Sequence, residues 1–279
     1  MSKPNVPLID LQEASKDKDQ LRLLDSACRD HGFFLLKNHG MQDEINNMWS
    51  MSEWFFAQQR EDKLKLLRSE EIPLGFYDRE LTKQKRDLKE VFDFMETRSE
   101  KDINQWPDEP LFRETMESFF KKSSEVAKET LDLILLCLGI SKNDLIFGDS
   151  KTSNARLNFY PVDDPLSLLE KNEVNGLGDM ALHHHTDPGI LTLLLQDMTG
   201  GLQAKSKEFG WIDITPEKDS IVVNLGDAMQ VWTNDNYVAA IHRVSKRTSE
   251  PRYSTPFFYN PTSDSTIEPL SIISAAKPH

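Results

Sequence analysis

Cysteine is scarce. Cys28 and Cys137 are the only two in 279 residues, too few for the disulfide framework of a small secreted domain. Both fall in apolar helical patterns, so two buried thiols in a reducing compartment are expected. Long apolar runs are missing as well. The longest, Leu133 to Ile140, falls far short of the roughly 18 residues that a membrane-spanning helix requires. Met1 to Gln20 is polar and charged, without the apolar stretch of a secretory signal. The expectation is a cytoplasmic protein with no membrane partner. Positive charge is in deficit too: 33 Lys and Arg face 46 Asp and Glu, a formal net charge of −13. A phosphate-backbone binder needs a basic stripe, so nucleic acid is not the expected partner, and anionic membrane surfaces are disfavoured. No internal repeat, low-complexity tract or interdomain linker divides the chain.

What is present is an ordinary globular composition in a chain long enough to bury a sizeable core. Val6 to Leu11 reads as a strand, and Leu21, Leu24 and Cys28 recur at helical spacing from Asp17 onward. Phe33 to Leu36 is a short apolar strand closed by Asn38-His39-Gly40. Met48 to Leu67 reads as one helix, Gly75-Phe76-Tyr77 as a break, and Val91 to Met95 as a strand. The charge-rich run from Asp78 to Glu90 reads as a solvated surface, with a mobile cover over a site as the alternative. Leu111 to Ile140 is the clearest helix, with Gly139 as its stop. Beyond Thr152 come short strands separated by turns: Ala155–Tyr160, Leu191–Leu195, Leu202–Lys205, Ile212–Ile214, Ile221–Asn224, Tyr237–Val244 and Arg252–Tyr259. Even spacing of this kind predicts a closed or sandwiched antiparallel architecture such as a jelly roll. The fold class expected is α+β. A helical and strand region spans 1–110, a bracing helix 111–150, a jelly-roll core 151–262 and a tail 263–279, in one structural unit.

The chemistry concentrates in that core. His185 and Asp187 are two residues apart in His183-His184-His185-Thr186-Asp187, so on an extended backbone their side chains face the same way. His242 interrupts the apolar strand Ala240-Ile241-His242-Arg243-Val244. Two histidines and one carboxylate on one face of iron leave adjacent positions open, the arrangement used by non-haem Fe(II) oxygenases. Arg156, Asn158 and Tyr160 share one strand face, and Arg252 and Ser254 share another. An arginine inside an apolar strand is costly unless it meets an anion. Arg252 answers either to an internal Arg–Asp bridge or to a carboxylate gripped by its planar fork. Beside the metal triad, a carboxylate-bearing cosubstrate is the better account.

The whole chain resembles the isopenicillin N synthase-like branch of the 2-oxoglutarate and Fe(II)-dependent dioxygenases. The resemblance is carried by Val6-Pro7-Leu8-Ile9-Asp10, the block from His31-Gly32-Phe33-Phe34 to Asn38-His39-Gly40, and Asn158-Phe159-Tyr160-Pro161. It continues through His185-Thr186-Asp187, Leu193-Leu194-Leu195-Gln196-Asp197, Gly200-Gly201-Leu202-Gln203, Asn224-Leu225-Gly226-Asp227, His242-Arg243-Val244 and Arg252-Tyr253-Ser254. It implies a double-stranded β-helix, a distorted jelly roll, braced by N-terminal and central helices. It implies Fe(II) held by His185, Asp187 and His242, and the distal carboxylate of 2-oxoglutarate on Arg252 and Ser254, helped by Tyr160 and Asn158. It further implies O2 as cosubstrate, ascorbate as an accessory reductant, and hydroxylation, desaturation or cyclisation of a small organic molecule. Some relatives use the same triad without 2-oxoglutarate on a substrate that itself ligates iron, and the Arg-X-Ser pair does not separate the two.

Arg156 is expected either to meet an acidic group of the substrate or to form a salt bridge at the barrel rim. Phe258 and Asn260 are expected to line the substrate side. His183 and His184 are read as non-ligands, His39 as structural, and Asp227 as a fold-stabilising turn residue. Substrate identity and oligomeric state have no motif.

Overall fold

In the computed structural model, which describes residues 6–97, 102–140, 148–206, 209–246, 249–271 and 273, the chain opens with strand β1 (Leu8–Asp10), helix α1 (Lys18–Asp30) and β2 (Phe33–Lys37). Asp17 starts α1 by accepting hydrogen bonds from the backbone N–H groups of Asp19 and Gln20. Helices α2 (Gln42–Phe56) and α3 (Arg60–Leu64) follow where one helix is expected. The break falls at Gln59, whose ψ of 142° leaves the helical region. Strand β3 (Gly75–Tyr77), the hairpin β4 (Leu81–Thr82) and β5 (Lys85–Arg86), and β6 (Glu90–Met95) lead into α4 (Pro110–Cys137). Gly139 ends α4 as expected. Its φ is +70°, its N–H bonds Leu136 O, and the Ile140 N–H bonds Leu135 O, which satisfies carbonyls the helix leaves open.

The second half supplies β7 (Gly148–Tyr160), α5 (Leu168–Glu173), β8 (Leu182–His185), β9 (Leu191–Gln196), β10 (Leu202–Ser206), β11 (Gly210–Asp213) and β12 (Ile221–Leu225). Helix α6 (Asp227–Trp232), β13 (His242–Val244) and β14 (Arg252–Pro261) complete it. The strand expected over Tyr237–Val244 is shorter than its apolar pattern. Tyr237 and Ala239 spend their N–H groups on Thr233 Oγ1 and Gln230 Oε1 instead of a ladder. Residues 141–147 of the expected bracing segment, and 272 and 274–279 of the expected tail, lie outside the described residues. No helix among the described residues is long and apolar enough to cross a membrane.

Eight strands form one sheet in the order β1-β2-β12-β9-β14-β7-β6-β3, and four form a second in the order β11-β10-β13-β8. All pairs are antiparallel except β1 with β2. The period-two alternation of strands divides the large sheet's side chains between two cores. Phe34, Leu36, Leu193, Leu195, Ile221, Val223 and Phe257 face the helices, where Phe112, Met116 and Phe119 of α4 pack. Phe33, Leu35, Leu194, Val222 and Tyr160 face the small sheet with Leu202, Ala204 and Val244. Burial on both faces explains why β2, β9 and β12 read as continuous apolar runs. The face between the sheets carries Asn158, Thr192, Asn224, Arg252 and Ser254, the polar residues on which the site is built.

Candidate active site

Register brings the two histidines together. His185 at the end of β8 stands directly opposite His242 at the start of β13, with ring centroids 4.4 Å apart. Each ring uses Nδ1 against a backbone carbonyl, His183 O for His185 and Ala240 O for His242, both at 2.9 Å. That contact fixes Nδ1 as the donor and leaves both Nε2 atoms with a free lone pair. Asp187 Oδ1 lies 3.7 Å from His185 Nε2 and 3.8 Å from His242 Nε2.

The other carboxylate oxygen is held by the large sheet. Asp187 Oδ2 accepts from Thr192 Oγ1 at 2.6 Å and from Asn224 Nδ2 at 2.8 Å. Thr192 and Asn224 are themselves register partners on β9 and β12. The loop between His185 and Asp187 is tied down by Asp227, whose N–H bonds Asp187 O and whose carboxylate accepts from Thr186 Oγ1. The preceding Gly226 is required there, since any Cβ would collide with the carbonyl oxygens of Gly189 and Asp187.

Burial and the neighbouring His242 lower the His185 imidazole to about 4. Burial would raise the Asp187 carboxyl, yet His242 and the Thr192 and Asn224 hydrogen bonds hold it below its ordinary value. A neutral imidazole at His185 and an ionised carboxylate at Asp187 are protonation states that favour a divalent metal. Donor atoms of these three residues lie within 4.8 Å of one another, the one such group among the described residues. The donor set fits Fe(II).

A cavity of about 320 Å³ opens on this centre. Arg252 and Ser254 line it from β14, fully buried, with Tyr160 and Asn158 on β7 as their direct register partners. The Arg252 guanidinium donates from Nε to Gly200 O at 2.8 Å and sits 5.0 Å from the centre of the Tyr160 ring. Asn158 Nδ2 lies 3.5 Å from Ser254 Oγ, and Asn158 Oδ1 has no hydrogen-bond partner among the described residues. Phe258 lines the cavity. Asn260 is not among the lining residues and spends its amide on Thr152 O at 2.9 Å.

Sequence models match both halves of the chain: the 2OG-Fe(II) oxygenase superfamily over residues 152–261, and a non-haem dioxygenase N-terminal model described from morphine synthesis over 6–109. A 1-aminocyclopropane-1-carboxylate oxidase from Solanum lycopersicum is 33% identical over 98% of this chain and 85% of its own length. The chain belongs to the 2OG-Fe(II) oxygenase superfamily. Among solved structures, a full-length Neurospora crassa protein in complex with alpha-KG and thymine is 29% identical, with a TM-score of 0.79 over 98% of this chain and 90% of that one. JOX2 in complex with 2OG, Fe and JA is 26% identical, with a TM-score of 0.81 over 98% of this chain and 80% of JOX2. The fold is thus the double-stranded β-helix of this superfamily, in an α+β chain. The protein is an oxidoreductase of the dioxygenase kind, with Fe(II) and 2-oxoglutarate as cofactors and a small molecule as substrate.

The charge-rich run departs from expectation as well. The Asp78–Glu90 run is a solvated surface only at its hairpin, where Leu81, Lys83, Gln84 and Lys85 are exposed; Asp78, Arg86, Asp87, Lys89 and Glu90 are all under 5% exposed. They are paired internally. Arg60 Nη2 lies 2.7 Å from Asp78, Lys63 Nζ 2.5 Å from Glu90, and Arg86 contacts Asp164. Arg156 meets this run, as a doubly bonded salt bridge. Its Nε and Nη2 reach Asp93 at 2.6 and 2.9 Å, and Nη1 reaches Glu80 at 2.9 Å. The guanidinium lines the cavity, but its forks are already occupied by carboxylates.

Sequence reasoning missed Thr192, Asn224, Glu80, Thr82 and Lys89. The signal for Thr192 was a lone hydroxyl inside the apolar run Leu191–Leu195, and for Asn224 an amide closing another. His183 and His184 do not join the centre: His183 Nε2 lies 3.6 Å from Asp179, and His184 contacts Lys83.

Proposed function

We propose that this oxygenase holds Fe(II) on His185, Asp187 and His242, and binds the distal carboxylate of 2-oxoglutarate on Arg252 and Ser254. Iron, when bound, supplies the activation of O2 and the oxidative decarboxylation of 2-oxoglutarate to succinate and CO2. The observation that carries the reading is the shared cavity face: the three metal donors and the Arg252–Ser254 pair line one space, with the pair's register partners Tyr160 and Asn158 beside it. Arg252 offers the planar fork that suits a carboxylate, Ser254 a further hydroxyl, and Asn158 an additional polar contact. Tyr160 supports the guanidinium with its ring face. Thr192 and Asn224 keep Asp187 aimed at the metal through Oδ2. Phe258, Pro256 and Leu194 give the cavity apolar wall that excludes water from the reacting centre. A cytoplasmic setting is supported by the two free cysteines, and the acidic charge supports a role without nucleic acid.

The test is anaerobic visible absorption of the metal-free protein titrated with Fe(II), then with 2-oxoglutarate. A weak charge-transfer band that needs both, and is lost in His185→Ala and Arg252→Ala, is the expected result. Iron binding with no band on adding 2-oxoglutarate would instead favour the same-fold Fe(II) oxidase whose substrate ligates the metal directly; succinate release under turnover separates the two as well. Absence of iron binding would remove the triad assignment.

A further inference from the structure

Away from the Arg252–Ser254 pair, the cavity has a second polar wall, made of buried and half-buried charges that the cofactor chemistry does not use. Glu80, Thr82, Lys89 and Arg156 line the same space as the metal donors. Lys89 is 4% exposed, with Nζ 3.2 Å from Glu80 and 3.7 Å from Asp87. Arg156 bonds Asp93 and Glu80, and Arg68 lies 2.7 Å from Glu80 and 3.3 Å from Asp93. Thr82 Oγ1 donates to Asp87 at 2.8 Å.

The charges on this wall cancel. Arg68, Lys89 and Arg156 face Glu80, Asp87 and Asp93, three cations against three carboxylates. The cofactor end cancels likewise: a divalent metal and Arg252 stand against Asp187 and the two carboxylates of 2-oxoglutarate. A substrate with a net charge would therefore enter a buried site holding no counter-ion for it, and an uncompensated buried charge costs several times more than a hydrogen-bonded neutral group. A wholly apolar substrate fits no better. It would cover Lys89 and Glu80 and strip them of water with no hydrogen bond in return. The cavity is small for a space that also takes the cosubstrate.

We propose that Lys89 and Glu80 form the substrate-recognition pair of this oxygenase, and that the substrate is a small, net-neutral polar molecule. It presents a hydrogen-bond acceptor to the Lys89 ammonium beside a donor to the Glu80 carboxylate. Cyclic amides and imides have that arrangement along one edge; zwitterionic amino acids have it as carboxylate and ammonium. The inference rests on the oxygenase reading above and names its substrate class. A pair built to hydrogen-bond its substrate also gives selectivity, because an analogue lacking either group covers Lys89 or Glu80 without making the hydrogen bond in return.

The experiment uses the full chain with Fe(II) and 2-oxoglutarate. The charge-transfer band tests the oxygenase reading by itself, before any substrate is added; its absence defeats that reading and not the substrate class. Thymine, 1-aminocyclopropane-1-carboxylate, benzoate and toluene are then added separately, reading perturbation of the band anaerobically and succinate release above the uncoupled rate in air. The expected result is a response to thymine or to the amino acid and none to benzoate or toluene. Thymine would identify the imide edge and the amino acid the zwitterion. For the responding compound, Lys89→Met should raise KM about 10- to 100-fold, the loss expected for one hydrogen bond to a charged group. The band in that variant reports that the site is folded. The proposal is overturned by a benzoate or toluene response equal to the polar compounds', by no response to either polar compound, or by an unchanged KM in a Lys89→Met protein that shows the band. The panel on the unaltered protein decides the charge argument whether or not that variant folds.

Discussion

At the scale of single residues, the proposed metal centre depends on side chains beyond its three donors. Asp187 has one oxygen aimed between two imidazoles and the other held by Thr192 and Asn224. Thr192→Val keeps the shape of the side chain and removes the 2.6 Å hydrogen bond. The carboxylate then loses half of its support, and Fe(II) affinity should fall about 10- to 100-fold, as for other partners that orient a metal ligand. An anaerobic Fe(II) titration of wild type and variant measures it, with a thermal melt to show that the fold survives; unchanged affinity would mean that Asn224 alone suffices. The convergence of His185, Asp187 and His242 was legible in the sequence because each is a polar residue placed by spacing or by contrast with apolar neighbours. Thr192 was not. A threonine is an ordinary strand former, and nothing local shows that its hydroxyl faces an aspartate five residues earlier.

At the scale of elements, the same difficulty explains the Asp78–Glu90 run. A solvated charge run and an internally paired one look alike in sequence, because pairing is decided by partners far along the chain. Here the partners are Arg156 on β7, Arg60 and Lys63 on α3, and Asp164 beyond β7. The strands, by contrast, announce themselves through periodicity, and only their ends shift. Burial alone would raise the Glu80 carboxyl, but Lys89, Arg156 and Arg68 hold it well below the ordinary value of 4.5. Because the folded state binds this proton less readily than the unfolded chain, the stabilisation is complete above that value. It is lost as pH falls below it. Asp87 and Glu90, raised chiefly by burial, have the opposite sign: what they contribute is present at low pH and lost as pH rises through their folded values. Glu80→Gln should therefore be less stable than wild type at neutral pH, yet lose less stability on acidification. Urea midpoints at about pH 7, 5 and 3 check it; parallel acid limbs would show that Glu80 does not carry the linkage.

At the scale of the whole molecule, the N-terminal region is part of the sheet that supports the metal centre. Strand β2 lies between β1 and β12, pairing Leu35 with Leu8 on one side and with Val222 on the other. Its side chains alternate between the two cores, Phe34 and Leu36 toward the helices and Phe33 and Leu35 toward the small sheet. The next strand inward, β12, carries Asn224, which holds Asp187. Removing residues 1–40 would bare the edge of β12 and uncover apolar surface on both faces, the condition under which exposed strands associate. If the chain is one cooperative unit, the shortened protein should neither fold nor give the Fe(II)–2-oxoglutarate band. The complete chain should unfold in a single transition, coincident by circular dichroism and tryptophan fluorescence. Phe34→Ala, at a fully buried ring, should cost about 3–5 kcal/mol and move both probes together. Two separated transitions, or a truncated chain that still shows the band, would mean that the jelly roll folds without the strand beside β12. Asn224 would then owe its position to β9 alone.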